Sequence, residues 1–182
     1  MNWEDRTSAI LFGDGAGAAI VECTEPDSPS RVLSSHLRTD GSLWELFVMP
    51  AGGSNLEITP EVLDQRLNKM QMKGKEIFKV AVRTLAEFAT TAVEANGFKV
   101  SDVDWFIPHQ ANLRIIEAVA KRLEVPMDRV LVNIDKYGNT SAATVPTALD
   151  EAVRDGRIKR GDLVLLDVFG AGLTYGSLLM RW

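Results

Sequence analysis

The chain has 182 residues, of which 46% are hydrophobic and 25% charged, and its formal net charge is −5. This balance is typical of one globular domain with a sizeable core, and the acidic charge argues against non-specific nucleic-acid binding. No apolar run approaches the roughly 20 residues that span a bilayer, and the N-terminus lacks the apolar core of a signal peptide. One cysteine excludes an internal disulfide and, with two distant histidines, argues against a structural zinc site.

The first predicted elements are two short strands within residues 8–22, around a glycine-rich turn. Gly13, Gly15 and Gly17 also have the spacing of a phosphate loop, but no Lys-Ser/Thr pair follows them. We therefore favour a tight turn packed against other backbone. Residues 25–30 contain two prolines and predict a linker. Two β segments, 31–37 and 43–48, follow, and the Asp-Gly pair between them predicts a hairpin.

The middle of the chain contains a loop and a long helix. Residues 49–60 are rich in Gly, Ser, Asn and Pro and predict a loop, whereas 61–67 could form a helical turn. For residues 67–72 the periodicity does not decide between helix and strand. Apolar residues at helical spacing predict a helix over 74–96, which the Asn96-Gly97 pair should end.

A short buried strand is predicted at residues 105–107, and Pro108 should end it because proline cannot donate to a sheet ladder. Apolar positions at helical spacing then predict a helix over 113–123. His109 therefore lies at the carboxyl end of a strand and beside the start of a helix, where ligands bind in open α/β sheets. The alternative is a histidine that only satisfies local hydrogen bonds near the helix start.

A second polar residue has the same setting. A strand is predicted over 130–134, and Asn139 follows it just before another helix, which should end at Asp155-Gly156. Asn139 could also be a turn or N-cap residue. Two final strands, 162–168 and 173–181, enclose a glycine-rich turn. Strands that alternate with helices predict an α/β fold with a mixed, mostly parallel sheet and flanking helices.

Several ordered motifs resemble the carboxyl-terminal half of the β-ketoacyl-acyl-carrier-protein synthase III family, whose members are thiolase-fold condensing enzymes. They are PHQAN at 108–112, GNTSAA at 138–143, FGAG at 169–172, FGDGAGAA at 12–19 and GKEIFKV at 74–80. The resemblance implies a thiolase-like half over 31–182. It also implies that 1–30 are a hairpin and linker from the end of the amino-terminal half, and it favours a strand over 67–72.

Two neutral donors could act together on one oxygen. An imidazole N–H and a carboxamide N–H₂ can both stabilise charge that develops on a thioester carbonyl as it becomes an enolate. The resemblance assigns this role to His109 and Asn139, which would bind the carbonyl of malonyl-carrier protein during loss of carbon dioxide. The carbanion would then attack an acyl group held on a cysteine. The resemblance also places a backbone N–H of the oxyanion hole at Ala171.

The nucleophile of this chemistry is missing from the predicted site. The reaction needs an activated thiolate, which the family carries in its amino-terminal half. Cys23 follows a predicted strand and lacks the family's Cys-Ser/Ala-Gly setting before a helix, so we do not expect it to be the nucleophile. The chain thus resembles a catalytic half that needs an amino-terminal partner, either a truncated piece or one chain of a split enzyme, and it should be inactive alone.

Basic residues concentrate on two predicted helices, although the chain is acidic overall. Such charges often form only a solvated surface, but they would also steer an acidic carrier protein. The resemblance supports carrier docking through Lys79, Arg114, Lys121 and Arg122. It assigns the pantetheine tunnel to Gly74, Phe78, Ala111 and Asn112. Lys75 departs from the small polar residue of some relatives, and His36 is expected to be an ordinary strand or surface residue.

The leading hypothesis is a condensing enzyme that joins acyl-CoA to malonyl-carrier protein at the start of fatty-acid synthesis. The alternatives are a non-catalytic half that binds a carrier or coenzyme A arm, and a related enzyme that uses only coenzyme A thioesters. No cofactor or metal is expected, because the substrates carry coenzyme A or phosphopantetheine. We expect a cytoplasmic protein that is a homodimer as the full enzyme and contacts neither nucleic acid nor membrane.

Overall fold

The computed structural model describes residues 1–25 and 27–182, so part of the predicted linker over 25–30 lies outside the described residues. The helices are α1 (Arg6–Ala9), α2 (Pro60–Asp64), α3 (Gly74–Glu94), α4 (Leu113–Arg122), α5 (Ile134–Tyr137) and α6 (Thr144–Arg154). The strands are β1 (Arg31–Thr39), β2 (Phe47–Val48), β3 (Gln71–Met72), β4 (Trp105–Pro108), β5 (Leu163–Gly170) and β6 (Thr174–Arg181). In these ranges no helix is long and apolar enough to cross a membrane.

The main sheet has four strands in the order β1-β6-β5-β4. Strands β4 and β5 are parallel, whereas β5–β6 and β1–β6 are antiparallel. The predicted mixed sheet is confirmed, but its mostly parallel character is wrong. The reason is the short turn after Gly170, since a connection of a few residues can join only antiparallel strands.

Each face of the sheet is covered by helices. One core contains Leu163, Leu165 and Leu179 together with the buried sides of α3 and α4. The other contains Val164 and Met180 together with buried residues of α6. Successive residues of β5 therefore point to opposite helical layers, which explains why this strand is apolar on both faces.

The long helix is confirmed with nearly the predicted bounds. Its buried residues follow helical spacing and pack on the sheet, as the sequence predicts. Its end is fixed by Asn96, whose side chain donates to Ala92 O at 2.8 Å and to Ser34 Oγ at 2.6 Å. Gly97 follows with φ +75°, a conformation that glycine adopts without strain. Asn96 therefore ties the helix to β1.

The predicted strand pair within residues 8–22 is wrong. Residues 6–9 form α1, and of the rest only Phe12 makes a β-bridge, to Asn139. Ile20 and Val21 are 90% and 84% exposed and lie in no strand. The residues have strand propensity, but within the described chain no neighbouring strand supplies the ladder that a strand requires.

The predicted hairpin over 31–48 is also wrong, although its first strand exists. β1 pairs with β6, and the residues after it form a 3₁₀ segment, Gly41–Leu46, that Asp40 caps by accepting from Ser42 N. β2 pairs instead with β3, which is shorter than the strand predicted over 67–72. The helical turn predicted at 61–67 appears as α2. Long-range pairing with the buried β6 outweighs the local turn signal.

The predicted strand over 130–134 reduces to one bridge between Phe106 and Val130. Leu131 N donates to Phe106 O at 2.9 Å, and the chain then turns into α5. The backbone leaves the sheet because Asn133 N donates to the side chain of Gln110, at 3.1 Å, rather than to a strand. The final helix and the two final strands are confirmed, with α6 preceded by a 3₁₀ turn, Ser141–Ala143.

Candidate active site

His109 extends the parallel ladder of β4 and β5 by one hydrogen bond, because its N–H donates to Asp167 O at 2.7 Å. Its ring nitrogen Nδ1 lies 2.6 Å from Thr144 Oγ1. Among the residues that the structure describes, Nε2 has no hydrogen-bond partner. Burial lowers the pKa of His109 to about 4, so the ring of this half-buried residue is neutral at neutral pH.

Asn139 lies in the segment between α5 and α6 and is 7% exposed. Its backbone is held by two hydrogen bonds, Asn139 N to Leu11 O at 2.8 Å and Gly13 N to Asn139 O at 3.0 Å. Its side-chain Oδ1 accepts from Ser141 N at 2.9 Å. Within the described chain Nδ2 has no partner. Like Nε2 of His109, it is therefore a polar nitrogen left available at the site.

The contact between His109 and Thr144 brings the two sequence-predicted residues to the same end of the sheet. Thr144 is the first residue of α6 and is separated from Asn139 by Thr140 and the 3₁₀ turn. Since its hydroxyl contacts the imidazole at 2.6 Å, the Asn139 segment is held against His109. The Asn139 segment and His109 thus lie at the same end of the sheet, and the convergence of their side chains on one oxygen stays a prediction.

Gln110 supports the candidate site through structural hydrogen bonds, a role that the sequence interpretation missed. It is fully buried, and its Nε2 donates to Pro108 O at 2.7 Å and to Leu131 O at 3.1 Å. Its Oε1 accepts from Asn133 N. The side chain therefore fastens the end of β4 to the segment that leads to Asn139. The available signal was its position two residues after a buried strand, although glutamine is mostly exposed in proteins.

The turn between β5 and β6 contains Ala171, which is exposed. Because β4 and β5 are parallel, this turn leaves the sheet at the same end as His109. Ala171 also lines a cavity of about 550 Å³. Its other lining residues are Met1, Trp44, Phe47, Val48, Met49, Asn68, Met70 and Gly172.

The residues predicted for the pantetheine tunnel lie at two helix starts. Gly74 begins α3 and Phe78 follows one turn later, while Ala111 and Asn112 precede α4. Asn112 is the N-cap of α4 and its Oδ1 accepts from Arg114 N at 2.9 Å, so that oxygen already has a structural role.

The basic residues predicted for docking are all exposed: Lys79 on α3 and Arg114, Lys121 and Arg122 on α4. None of them belongs to an ion pair in the described part of the chain. Because α3 and α4 share one core, their exposed faces lie side by side. The structure thus leaves these cations available to an acidic partner.

Two other residues have no place in the site. Cys23 is a free, exposed thiol in a segment without regular structure. His36 lies in β1, and its Nε2 contacts Ser34 Oγ at 3.1 Å. No group of three His, Cys, Asp or Glu side chains within residues 1–25 and 27–182 could hold a metal ion.

The helix-covered mixed sheet, with a histidine and an asparagine at one end, defines half of a thiolase-like domain. A model of the family "3-Oxoacyl-[acyl-carrier-protein (ACP)] synthase III C terminal" matches residues 93–182, and the model "3-Oxoacyl-[acyl-carrier-protein (ACP)] synthase III" matches residues 1–41. The chain belongs to the 3-oxoacyl-[acyl-carrier-protein] synthase III family.

Named relatives agree with this assignment. The chain is 48% identical to the beta-ketoacyl-[acyl-carrier-protein] synthase III of Clostridioides difficile and 52% identical to that of Roseiflexus castenholzii, in each case over all of its length. These alignments cover 55% and 54% of the relatives. The chain therefore spans about half the length of the curated relatives it matches.

Solved structures show the same fold. The 3-oxoacyl-[acyl-carrier-protein] synthase III of Aquifex aeolicus is 45% identical with a TM-score of 0.85, and 53% of it is covered. The β-ketoacyl-[acyl carrier protein] synthase III of Thermus thermophilus is 42% identical with a TM-score of 0.87, and 55% of it is covered. Both alignments include the whole of this chain.

Proposed function

We propose that this chain supplies the His/Asn half of the active site of a decarboxylative condensing enzyme. The reaction would join the acyl group of acyl-CoA to malonyl-acyl carrier protein. The relatives are named as synthases of this type. In this proposal His109 and Asn139 donate to the thioester carbonyl of the malonyl substrate, and the N–H of Ala171 serves the tetrahedral oxyanion of the acyl group.

One observation carries the proposal. Each of the two side chains has one polar atom committed to a structural hydrogen bond and a second atom left available. His109 uses Nδ1 with Thr144, and Asn139 uses Oδ1 with Ser141 N, so that Nε2 and Nδ2 remain. Because burial keeps the pKa of His109 at about 4, the ring can donate without carrying a charge. Two neutral donors suit an enolate, whose charge appears only during the reaction.

The thiolate nucleophile must come from outside the described site, because Cys23 is exposed and the next described element after it is the strand β1 rather than a helix. This observation also supports a second candidate function, a non-catalytic half that binds a carrier or coenzyme A arm. The pantetheine arm would pass Gly74, Phe78, Ala111 and Asn112 in either case. A homodimer of the full enzyme remains a prediction.

The experiment is reconstitution of the two halves. The chain is co-expressed with the amino-terminal half of the Clostridioides difficile relative, and release of carbon dioxide from malonyl-carrier protein is followed. His109→Ala and Asn139→Ala should each lower the rate by about 100- to 1000-fold, as expected for one lost oxyanion donor. His36→Gln is the matched control and should keep the parental rate. Unchanged decarboxylation in both site variants would refute the enzyme proposal, and a folded complex without any activity would support the binding half.

A further inference from the structure

Thr144 is the only described residue that contacts the ring of His109 through a hydrogen bond. The residue is 1% exposed, and its Oγ1 lies 2.6 Å from Nδ1 of His109 and 3.0 Å from Ser141 O. The hydroxyl has one proton, and Ser141 O can only accept. Thr144 therefore donates either to the carbonyl or to the imidazole, and this choice decides which ring nitrogen of a neutral His109 carries the proton.

The two distances favour donation to the ring. Hydrogen bonds from an N–H to oxygen measure about 2.7–3.2 Å, whereas those from a hydroxyl to oxygen measure about 2.5–3.0 Å and most often about 2.7–2.8 Å. The 2.6 Å separation between Nδ1 and Thr144 Oγ1 lies below the N–H range, and the 3.0 Å separation between Oγ1 and Ser141 O lies at the long limit for a hydroxyl donor. Donation from Nδ1 to Thr144 would therefore combine an unusually short N–H bond with a long bond from the hydroxyl to Ser141 O, whereas donation from Thr144 to Nδ1 places the hydroxyl proton in the shorter contact.

We propose that Thr144 is a positioning residue that donates its hydroxyl proton to Nδ1 of His109 and holds the imidazole in its Nε2–H tautomer. The assignment of the tautomer is independent of any reaction. Its use, the presentation of Nε2–H to a substrate carbonyl, depends on the function proposed above. With Nδ1 protonated instead, Nε2 would present a lone pair to the same oxygen and would repel it. The hydroxyl thus decides whether His109 can act as a donor.

The test is the tautomer itself, read from long-range ¹H–¹⁵N spectra of the histidine-labelled chain at neutral pH. The chain has two histidines, so His36→Gln assigns the signals of His109. We expect Nε2 to be protonated and Nδ1 to be unprotonated in the parent and in Thr144→Ser. In Thr144→Val, which keeps the shape but lacks the hydroxyl, both nitrogens should move towards averaged shifts. A merely structural role of Thr144 would not move this signature.

Two outcomes would overturn the inference: a protonated Nδ1 in the parent, or identical ring shifts in Thr144→Val and the parent. In the reconstituted enzyme, Thr144→Val should lower kcat for decarboxylation by about twofold to tenfold with little change in KM, the loss of one ordinary hydrogen bond. If the reconstituted enzyme is inactive but the tautomer is fixed by Thr144, the proposed function fails and the tautomer assignment stands.

Discussion

Asp167 is a fully buried carboxyl in the middle of β5, directly beside Pro108, the last residue of the strand that precedes His109. Its Oδ1 accepts from Ser177 Oγ at 2.5 Å, and within the described chain its Oδ2 has no partner. Burial raises the pKa of Asp167 well above its ordinary value, and the hydrogen bond from Ser177 offsets only part of this effect. We therefore predict that Asp167→Asn, which stays neutral at every pH, gains free energy of unfolding relative to the parent as the pH rises.

The sign follows from proton binding. Below the unfolded pKa of Asp167, about 3.9, the carboxyl is protonated in both the folded and the unfolded state, so the parent has its full free energy of unfolding. As the pH rises above this value, only the unfolded state releases its proton, so the parent loses free energy of unfolding until the folded pKa is reached. The loss is up to about 1.4 kcal/mol per pH unit in that window. The extra amide N–H of Asp167→Asn lowers its free energy of unfolding by about 1–3 kcal/mol at every pH. The diagnostic quantity is therefore the slope with pH of the difference in unfolding free energy between the variant and the parent.

The assay is urea denaturation of the parent and Asp167→Asn at pH steps from 4 to 8, followed by circular dichroism. Asp128→Asn, which removes an exposed carboxyl, is the matched control and should differ from the parent by no more than about 0.5 kcal/mol. If the unfolding free energies of the parent and Asp167→Asn ran parallel across this pH range, the buried carboxyl would not be protonated in the folded state and the reasoning would be refuted.

Two further changes test the support of the site and its partner surface. Gln110→Leu should destabilise the chain by about 2–5 kcal/mol in urea denaturation, since it leaves the N–H of Asn133 and two carbonyls without partners. The control is Gln65→Leu, which changes an exposed glutamine. Equal stability of the two variants would contradict the structural role of Gln110. Arg114→Glu should raise KM for carrier-bound substrate about fivefold in the reconstituted enzyme, a change of about 1 kcal/mol, while sparing coenzyme A thioesters. Arg38→Glu controls for net charge, and an equal loss with both substrates would count against docking at Arg114.

The sequence by itself determined the elements that local chemistry governs. The apolar spacing of α3 and α4 fixed these helices to within a few residues, because helical hydrogen bonds join near neighbours in the chain. The same local pattern placed His109 after a strand and Asn139 before a helix. The Asp40-Gly41 turn shows the limit of this approach, since its residues favour a hairpin that does not form.

Only the tertiary structure decided how distant segments meet. The pairing of β1 with β6 joins residues such as His36 and Ser177, and no local pattern in either strand specifies that partner. The three hydrogen bonds of Gln110 and the burial of Asp167 also depend on which segments pack around them. Polar side chains acquire such roles when folding removes water and leaves one set of partners within reach, and that set is defined by the packed chain rather than by the neighbours of each residue in the sequence.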